Sequence, residues 1–312
     1  MNTITDVAII GAGPAGLQAA LTLGRMHRSV VVLDAGRYRN DRADAMHNLI
    51  GHDGQTPAAF RAAARAELAR YDSVRFVAAE VGEVTGAAGG FRLSTGEGDH
   101  VASRVILATG MRDTLPDIPG IEAAFGSSVA HCPFCHGHEF AGRSVALIGP
   151  GPFLEHMSAL MAPIASALVA FPRGGALDEG AARRLALRGT EIEPAPVLSA
   201  RGDAEGIDLA LEGGGSRRFG GALVQLATEP AAPHAARLGV ERSELGAVLV
   251  DPFGRSSVPG VYAAGDVAQQ RSMPAPMWAV WSAIATGAAA ATGALQDIVA
   301  AEAAALERAV PA

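Results

Sequence analysis

The chain has 312 residues, 49% hydrophobic and 18% charged, with a net charge of −7. That length suits two domains of a soluble globular protein, and the acidic balance leaves no footprint for nucleic acid or an anionic membrane. All 25 basic residues are arginine, which excludes a lysine Schiff base and a lysine-bearing P-loop. The opening "MNTITDVAII" moves straight into an apolar strand without the three regions of a signal peptide, so a cytoplasmic location is expected.

"DVAIIGAGPAG" reads as a buried strand, a glycine turn and a helix from about Pro14 to Met26, and "SVVVLDAG" as a second strand ending in Asp34. The loop Gly11, Gly13, Pro14, Ala15, Gly16 has the spacing of a dinucleotide fingerprint. Gly11 permits the tight turn, Gly13 lets backbone approach a pyrophosphate, and Gly16 lets helix pack on strand. The helix N-terminus then faces the phosphates, and Asp34 can accept hydrogen bonds from a ribose. Further on, "VILATG" is a buried strand ending in the turn Ala108, Thr109, Gly110.

"HCPFCHGHEF", residues 131–140, contains both cysteines of the chain and three of its nine histidines. It precedes "SVALIGPGPFL", which echoes the first fingerprint at an offset of 138 residues and suggests a second Rossmann-like unit. That copy is damaged. Leu154 stands at the third glycine position and is expected to push the helix away from the strand. Pro172 stands where Asp34 stands in the first copy, with only Arg173 beside it to meet a 2′-phosphate. "GVYAAGDVA" then delivers Gly265 and Asp266 at the end of a strand. The uncharged stretch 272–296 is long enough for a bilayer, but its small residues and the prolines Pro274 and Pro276 favour a buried helix.

Taken together, "GAGPAG", "ATG", the Cys-x-x-Cys ahead of the second glycine loop, and "GVYAAGDV" resemble the low-molecular-weight thioredoxin reductases, a family of FAD-dependent disulfide oxidoreductases. Within that group "CPFCHGHE" and "GPGPFLEH" are similar to the dithiol oxidases of holomycin and gliotoxin type. The resemblance implies an α/β fold of two Rossmann-like, three-layer (ββα) domains, the second inserted into the first. An FAD domain is expected at 1–117 and 247–312, and a degenerate nicotinamide-type domain carrying the cysteines at 118–246. It also implies a homodimer, bound FAD, a small-molecule dithiol as substrate and oxygen as electron acceptor. Asn48 matches a position that contacts FAD in relatives, although a turn role fits it as well. Met277 sits near the start of the uncharged helix, where backbone N–H groups can face the flavin. Relatives often carry Arg-Gln there; "PAPMWAVW" replaces it, and Trp278 and Trp281 suit a dimer core or a substrate wall equally.

Three readings of the cysteines compete. Structural zinc needs a second ligand pair from a separate segment, whereas every candidate here falls within 131–138. An inert buried pair leaves the flavin motifs without a purpose. A redox pair is favoured, because Cys-x-x-Cys at a helix start is lowered in pKa by the dipole and by nearby His⁺. By resemblance, Cys135 contacts the flavin and Cys132 exchanges with substrate. Thioredoxin reductases usually place Asp after the second cysteine. His136 stands there instead, a group able to deprotonate a substrate thiol near neutrality, with His138 and His131 as weaker candidates. An NADPH-dependent thioredoxin reductase and a flavin-bound redox sensor remain alternative readings.

Overall fold

The computed structural model describes residues 4–309; residues 1–3 and 310–312 of the expected first domain lie outside the described residues. Two compact units result, one from Met1–Arg39, Ala58–Arg112 and Thr228–Ala312, the other from Asn40–Pro57 and Asp113–Ala227.

In the first unit the strand Thr5–Ile10 lies between Val30–Leu33 and Gly98–Leu107, parallel to both. Val74–Val77 extends the sheet beyond Val30–Leu33, again parallel. Burial on both faces explains why the opening strand reads as an unbroken apolar run. Val7 and Ile9 join the core under the helices Pro14–Arg25 and Val280–Ala309, while Ala8 and Ile10 join the core on the opposite face. The long strand changes partners along its length. Residues 98–102 pair antiparallel with Phe91–Thr95, and residues 105–107 pair parallel with Val261–Ala263.

The helix Val280–Ala309 is long and apolar enough to cross a membrane by length and composition alone. Its small residues instead form a packing face: Ala283, Gly287, Ala290, Ala291 and Ala294 are buried. A Cβ on Gly287 would run into the backbone of Ala15. Two backbones approach this closely only where side chains are small.

The second unit repeats the plan. Its five parallel strands run in the order Glu191–Ile192, Ala167–Pro172, Ser144–Gly149, Gly221–Val224, Val129–Ala130. A three-stranded antiparallel sheet, Val197–Asp203, Gly206–Leu211 and Ser216–Phe219, accompanies them. The α/β fold with two Rossmann-like units is therefore as the sequence implies.

Two details differ from the sequence reading. The unit boundaries shift: residues 40–57 and 113–117 belong with the second unit rather than the first, and residues 228–246 belong with the first rather than the second, where Ala231 N–H bonds to Gly110 O. A Cβ on Gly126 would meet the carbonyl of Arg42, and Arg42 pairs with Glu122 at 2.6 Å, which ties the segment down. The helix Gly151–Met161 also stays on its sheet despite Leu154. It begins from an N-cap at Pro150, whereas the helix Pro14–Arg25 is capped by Gly13, so it starts one position earlier in the repeat. Leu154 then turns fully into the core beside Val145, Leu147 and Met161. Pro163 follows the end of this helix, which is capped at Ala162.

Candidate functional site

In the first unit the expected residues gather at the carboxyl ends of parallel strands, where open α/β sheets bind their ligands. Gly11 follows the first strand at φ +102°, a left-handed conformation that favours glycine, and a Cβ there would collide with the Ala108 carbonyl. The "ATG" turn is thus held against the glycine loop. Ala108 is buried and donates its N–H to Ile10 O, Thr109 is half-buried, and Gly110 accepts from Ala231 N–H at 3.1 Å. A Cβ on Gly16 would enter the Gly11 carbonyl, so helix and loop pack closely only with glycine at this position. Above Gly13, by contrast, a Cβ meets nothing within 4 Å. The helix that follows, opened by Pro14 and Ala15, has no side-chain cap on its first N–H groups. Open space in front of uncapped donors is the cradle a dinucleotide pyrophosphate requires.

Asp34 is buried beside this loop. One carboxylate oxygen accepts the Ala12 N–H at 3.1 Å; the other accepts from Tyr38 Oη and from Arg65 Nη2. A carboxylate offers about four lone-pair directions, so one remains for a ribose hydroxyl. Burial, then the bond to Asp34, pushes the Tyr38 phenol up, and the phenol stays a donor. Asp266 is held from both ends. Arg39 pairs with its side chain at 2.9 Å, Trp278 Nε1 donates to its carbonyl at 3.1 Å, and the Arg39 guanidinium lies 4.6 Å over the Trp278 ring. Trp278 is therefore a support of the Asp266 turn, a role the sequence did not suggest, while Trp281 is exposed. Met277 is exposed too and precedes the helix, whose first N–H groups follow Ala279. These residues fit FAD: space for the pyrophosphate at Gly13, an acid for the ribose at Asp34, and a second acid at Asp266.

The matching place in the second unit is filled. A Cβ on Gly151, the counterpart of Gly13, would stand 3.3 Å from Leu177 Cδ2 and 3.9 Å from Ala181 Cβ. Arg173, which follows Pro172 in the chain, reaches the Asp117 carbonyl at 3.3 Å.

Cys132 and Cys135 directly follow the edge strand Val129–Ala130. Cys132 is the N-cap of the short helix Pro133–His136, and Cys135 N–H returns to Cys132 O at 3.2 Å. Both are half-buried. His136 closes the helix, half-buried, with its ring hydrogen-bonded to the Gly126 backbone. Burial holds its imidazole below the ordinary value. Glu139, Gly126 and Asp44 pull upward, and His47 adds to the downward push. A histidine held down in this way is neutral near pH 7. It is suited to accept a proton, and it does not supply the His⁺ that the sequence reading placed beside the thiols. His138 is exposed at the start of the turn His138–Phe140, and His131 stacks on Phe125 at 5.9 Å. No group of three or more metal-ligating side chains occurs among the described residues.

Asn48 is exposed and left-handed at φ +60°, and its N–H donates to Asp53 Oδ1 at 2.8 Å, which makes its turn role visible. Its neighbour His47 went unnoticed in the sequence. Its ring lies edge-on to His136 with centroids 6.3 Å apart, and Asp53 and Glu139 face its two nitrogens.

A family model described as "Pyridine nucleotide-disulphide oxidoreductase" matches residues 5–283. Thioredoxin reductase tcpT of Claviceps purpurea (strain 20.1) is 34% identical across 95% of this chain and 96% of its own length. Among solved structures, an oxidoreductase from Agrobacterium tumefaciens superposes with a TM-score of 0.87 at 32% identity, covering 95% of this chain and 99% of its own. The structure of HlmI superposes with a TM-score of 0.90 at 30% identity, covering 99% and 98% respectively.

Proposed function

The chain belongs to the pyridine nucleotide-disulphide oxidoreductase family as an enzyme of its thioredoxin reductase-like, flavin-dependent branch, and from that premise we propose that it binds FAD and oxidises a small dithiol to a disulfide, with oxygen as the final acceptor. In the net reaction two S–H bonds break and one S–S bond forms. The two electrons and two protons convert oxygen to hydrogen peroxide.

His136, neutral at working pH, takes the proton of the first substrate thiol. The resulting thiolate attacks the sulfur of Cys132 in the Cys132–Cys135 disulfide, and Cys135 leaves as a thiolate. The second substrate sulfur, once deprotonated, attacks the mixed disulfide at the substrate's own sulfur. It closes the product ring and releases Cys132. FAD, when bound, supplies the two-electron acceptor that returns the cysteine pair to its disulfide. Gly11, Gly13, Gly16, Asp34 and Asp266, with the Ala108–Gly110 turn, are the residues that hold it in this reading.

The observation that carries a dithiol oxidase over an NADPH-dependent reductase is the unlike state of the two glycine loops. Gly13 faces open space, whereas Gly151 is covered by Leu177 and Ala181. Pro172 supplies no ribose acid, and Arg173 is a lone cation. We place the enzyme in the cytoplasm as a homodimer; the exposed Trp281, Val299 and Leu306 of the closing helix support an interface between copies.

The test is anaerobic mixing. A small dithiol should bleach the flavin, and air should restore it with one peroxide per dithiol, while NADPH and NADH leave it oxidised. Rapid, saturable bleaching by micromolar NADPH overturns the oxidase reading.

A further inference from the structure

The histidine that the base reading uses does not stand alone. His47 comes from the 40–57 segment and sits between two carboxylates, its Nδ1 3.6 Å from Asp53 Oδ2 and its Nε2 3.4 Å from Glu139 Oε1. Its side chain is only 23% exposed and Glu139 is 34% exposed, so these charges are partly withdrawn from water and interact more strongly than a surface pair. Glu139 lies three residues after His136, and the two imidazoles meet edge to face with centroids 6.3 Å apart at 80°. Asp44 adds a third carboxylate from the 40–57 segment, and the Gly126 backbone holds the His136 ring. Every one of these groups lies in the second unit.

We propose that His47 and Glu139 are positioning residues for the proton transfer at His136: Glu139 joins the two imidazoles into one cluster, and the two neighbours bias the proton on His136 in opposite directions. This rests on the reading of His136 as the base. When His136 takes a proton from a substrate thiol, Glu139 stabilises the new imidazolium, while any charge on His47 opposes it. Two like charges at this separation disfavour one another, as two carboxylates do when they share a site. The proton is therefore accepted readily but not retained. A base must be neutral again before the second substrate thiol arrives.

The two partners push in opposite directions, which makes the proposal testable. The ring signal of His136 is followed by NMR against pH in the FAD-loaded protein, for wild type, Glu139→Gln and His47→Phe. His47→Gln serves as a second replacement should the Phe variant fold poorly. Glu139→Gln should lower the His136 midpoint and His47→Phe should raise it, each by roughly half a pH unit to one. The acidic limb of dithiol oxidation should move the same way. A merely structural role would expose His136 and raise its midpoint in both variants. That result, or a midpoint unmoved in all of them, overturns the proposal.

His136→Gln separates this from the reading beneath it. If that variant keeps the wild-type pH profile, His136 is not the base and the function assigned to it fails. If His136→Gln removes the acidic limb while Glu139→Gln and His47→Phe leave the midpoint in place, the cluster alone is wrong.

Discussion

Valine at Gly13 separates folding from cofactor binding more cleanly than any other change in the first loop. The Gly13 backbone, at φ −70° and ψ −178°, is extended and open to any residue, and a Cβ there meets nothing within 4 Å. Gly13→Val should therefore fold. Its cost is a poorer N-cap, about 1 kcal/mol, or about 1–2 °C in Tm for a chain of 312 residues. The effect on FAD is larger, because the branched side chain stands where the pyrophosphate must come close to the backbone. Losing two hydrogen bonds to a charged phosphate, at about 1.5–3 kcal/mol each, weakens binding by roughly 10²–10⁴-fold. Apoprotein prepared by stripping the flavin is titrated with FAD by fluorescence quenching, and its melting is followed by circular dichroism. The expected outcome is a near-native apoprotein melt with FAD affinity reduced at least a hundredfold. Gly151→Val, made beside Leu177 in the second loop, should leave FAD affinity at the wild-type value. A Gly13→Val protein that purifies with a full complement of FAD refutes the assignment of the pyrophosphate to this loop. Gly16→Val is no substitute for this test, because its Cβ would enter the Gly11 carbonyl and a lost cofactor would then report misfolding.

Presented with a small acyclic disulfide, whose leaving thiol departs untethered, Cys135→Ser should trap a mixed disulfide on Cys132 that mass spectrometry detects, because the thiol that would resolve it is gone; Cys132→Ser should trap none, and trapping in the reverse order exchanges the two roles. His234 is buried, and burial, then Arg237, holds its imidazole below its ordinary 6.5 despite the pull of Glu80. A depressed folded-state value means that its contribution is fully present above pH 6.5 and fades as pH falls through the folded value. Urea midpoints measured from pH 7.5 down to 5 should fall less steeply for His234→Leu than for wild type, and equal slopes show that protonation of His234 does not contribute.

The parts of this site legible in the sequence are those in which a backbone requirement forces a residue type. Gly11 must adopt a positive φ against Ala108, Gly16 must clear a carbonyl, and the strands are buried on both faces, so each leaves a local pattern. Arg65 and Trp278 leave none. They reach Asp34 and the Asp266 turn across 31 and 12 residues of chain, and nothing in their own neighbourhoods marks them. His47 is a harder case, since it stands next to a residue that was noticed. Its meaning depends on the 40–57 segment packing with the second unit, a pairing made by Arg42, Glu122 and Gly126 and invisible to periodicity. Leu154 shows the limit of reading one position at a time. A large side chain at a glycine position implies a displaced helix only if the helix keeps its starting point. Here capping at Pro150 shifts that start by one residue and sends the leucine into the core.

That shift bears on how the second unit keeps its fold around an altered glycine loop. In both units five parallel strands run in the same order, with the glycine-loop strand at the centre. The strand at one edge comes last in the chain in the first unit, as Val261–Ala263, and first in the second, as Val129–Ala130. Each is followed at once by the residues assigned chemistry: Asp266 after the one, Cys132 to His136 after the other. Because ligand groups collect at the carboxyl ends of such strands, the second sheet presents Cys132, Cys135 and His136 at that end. Leu154 also stabilises the unit from within its core, since burying one leucine is worth about 1.5–3 kcal/mol and Leu154 is wholly buried. That burial fixes the helix on its sheet independently of what the loop above Gly151 binds.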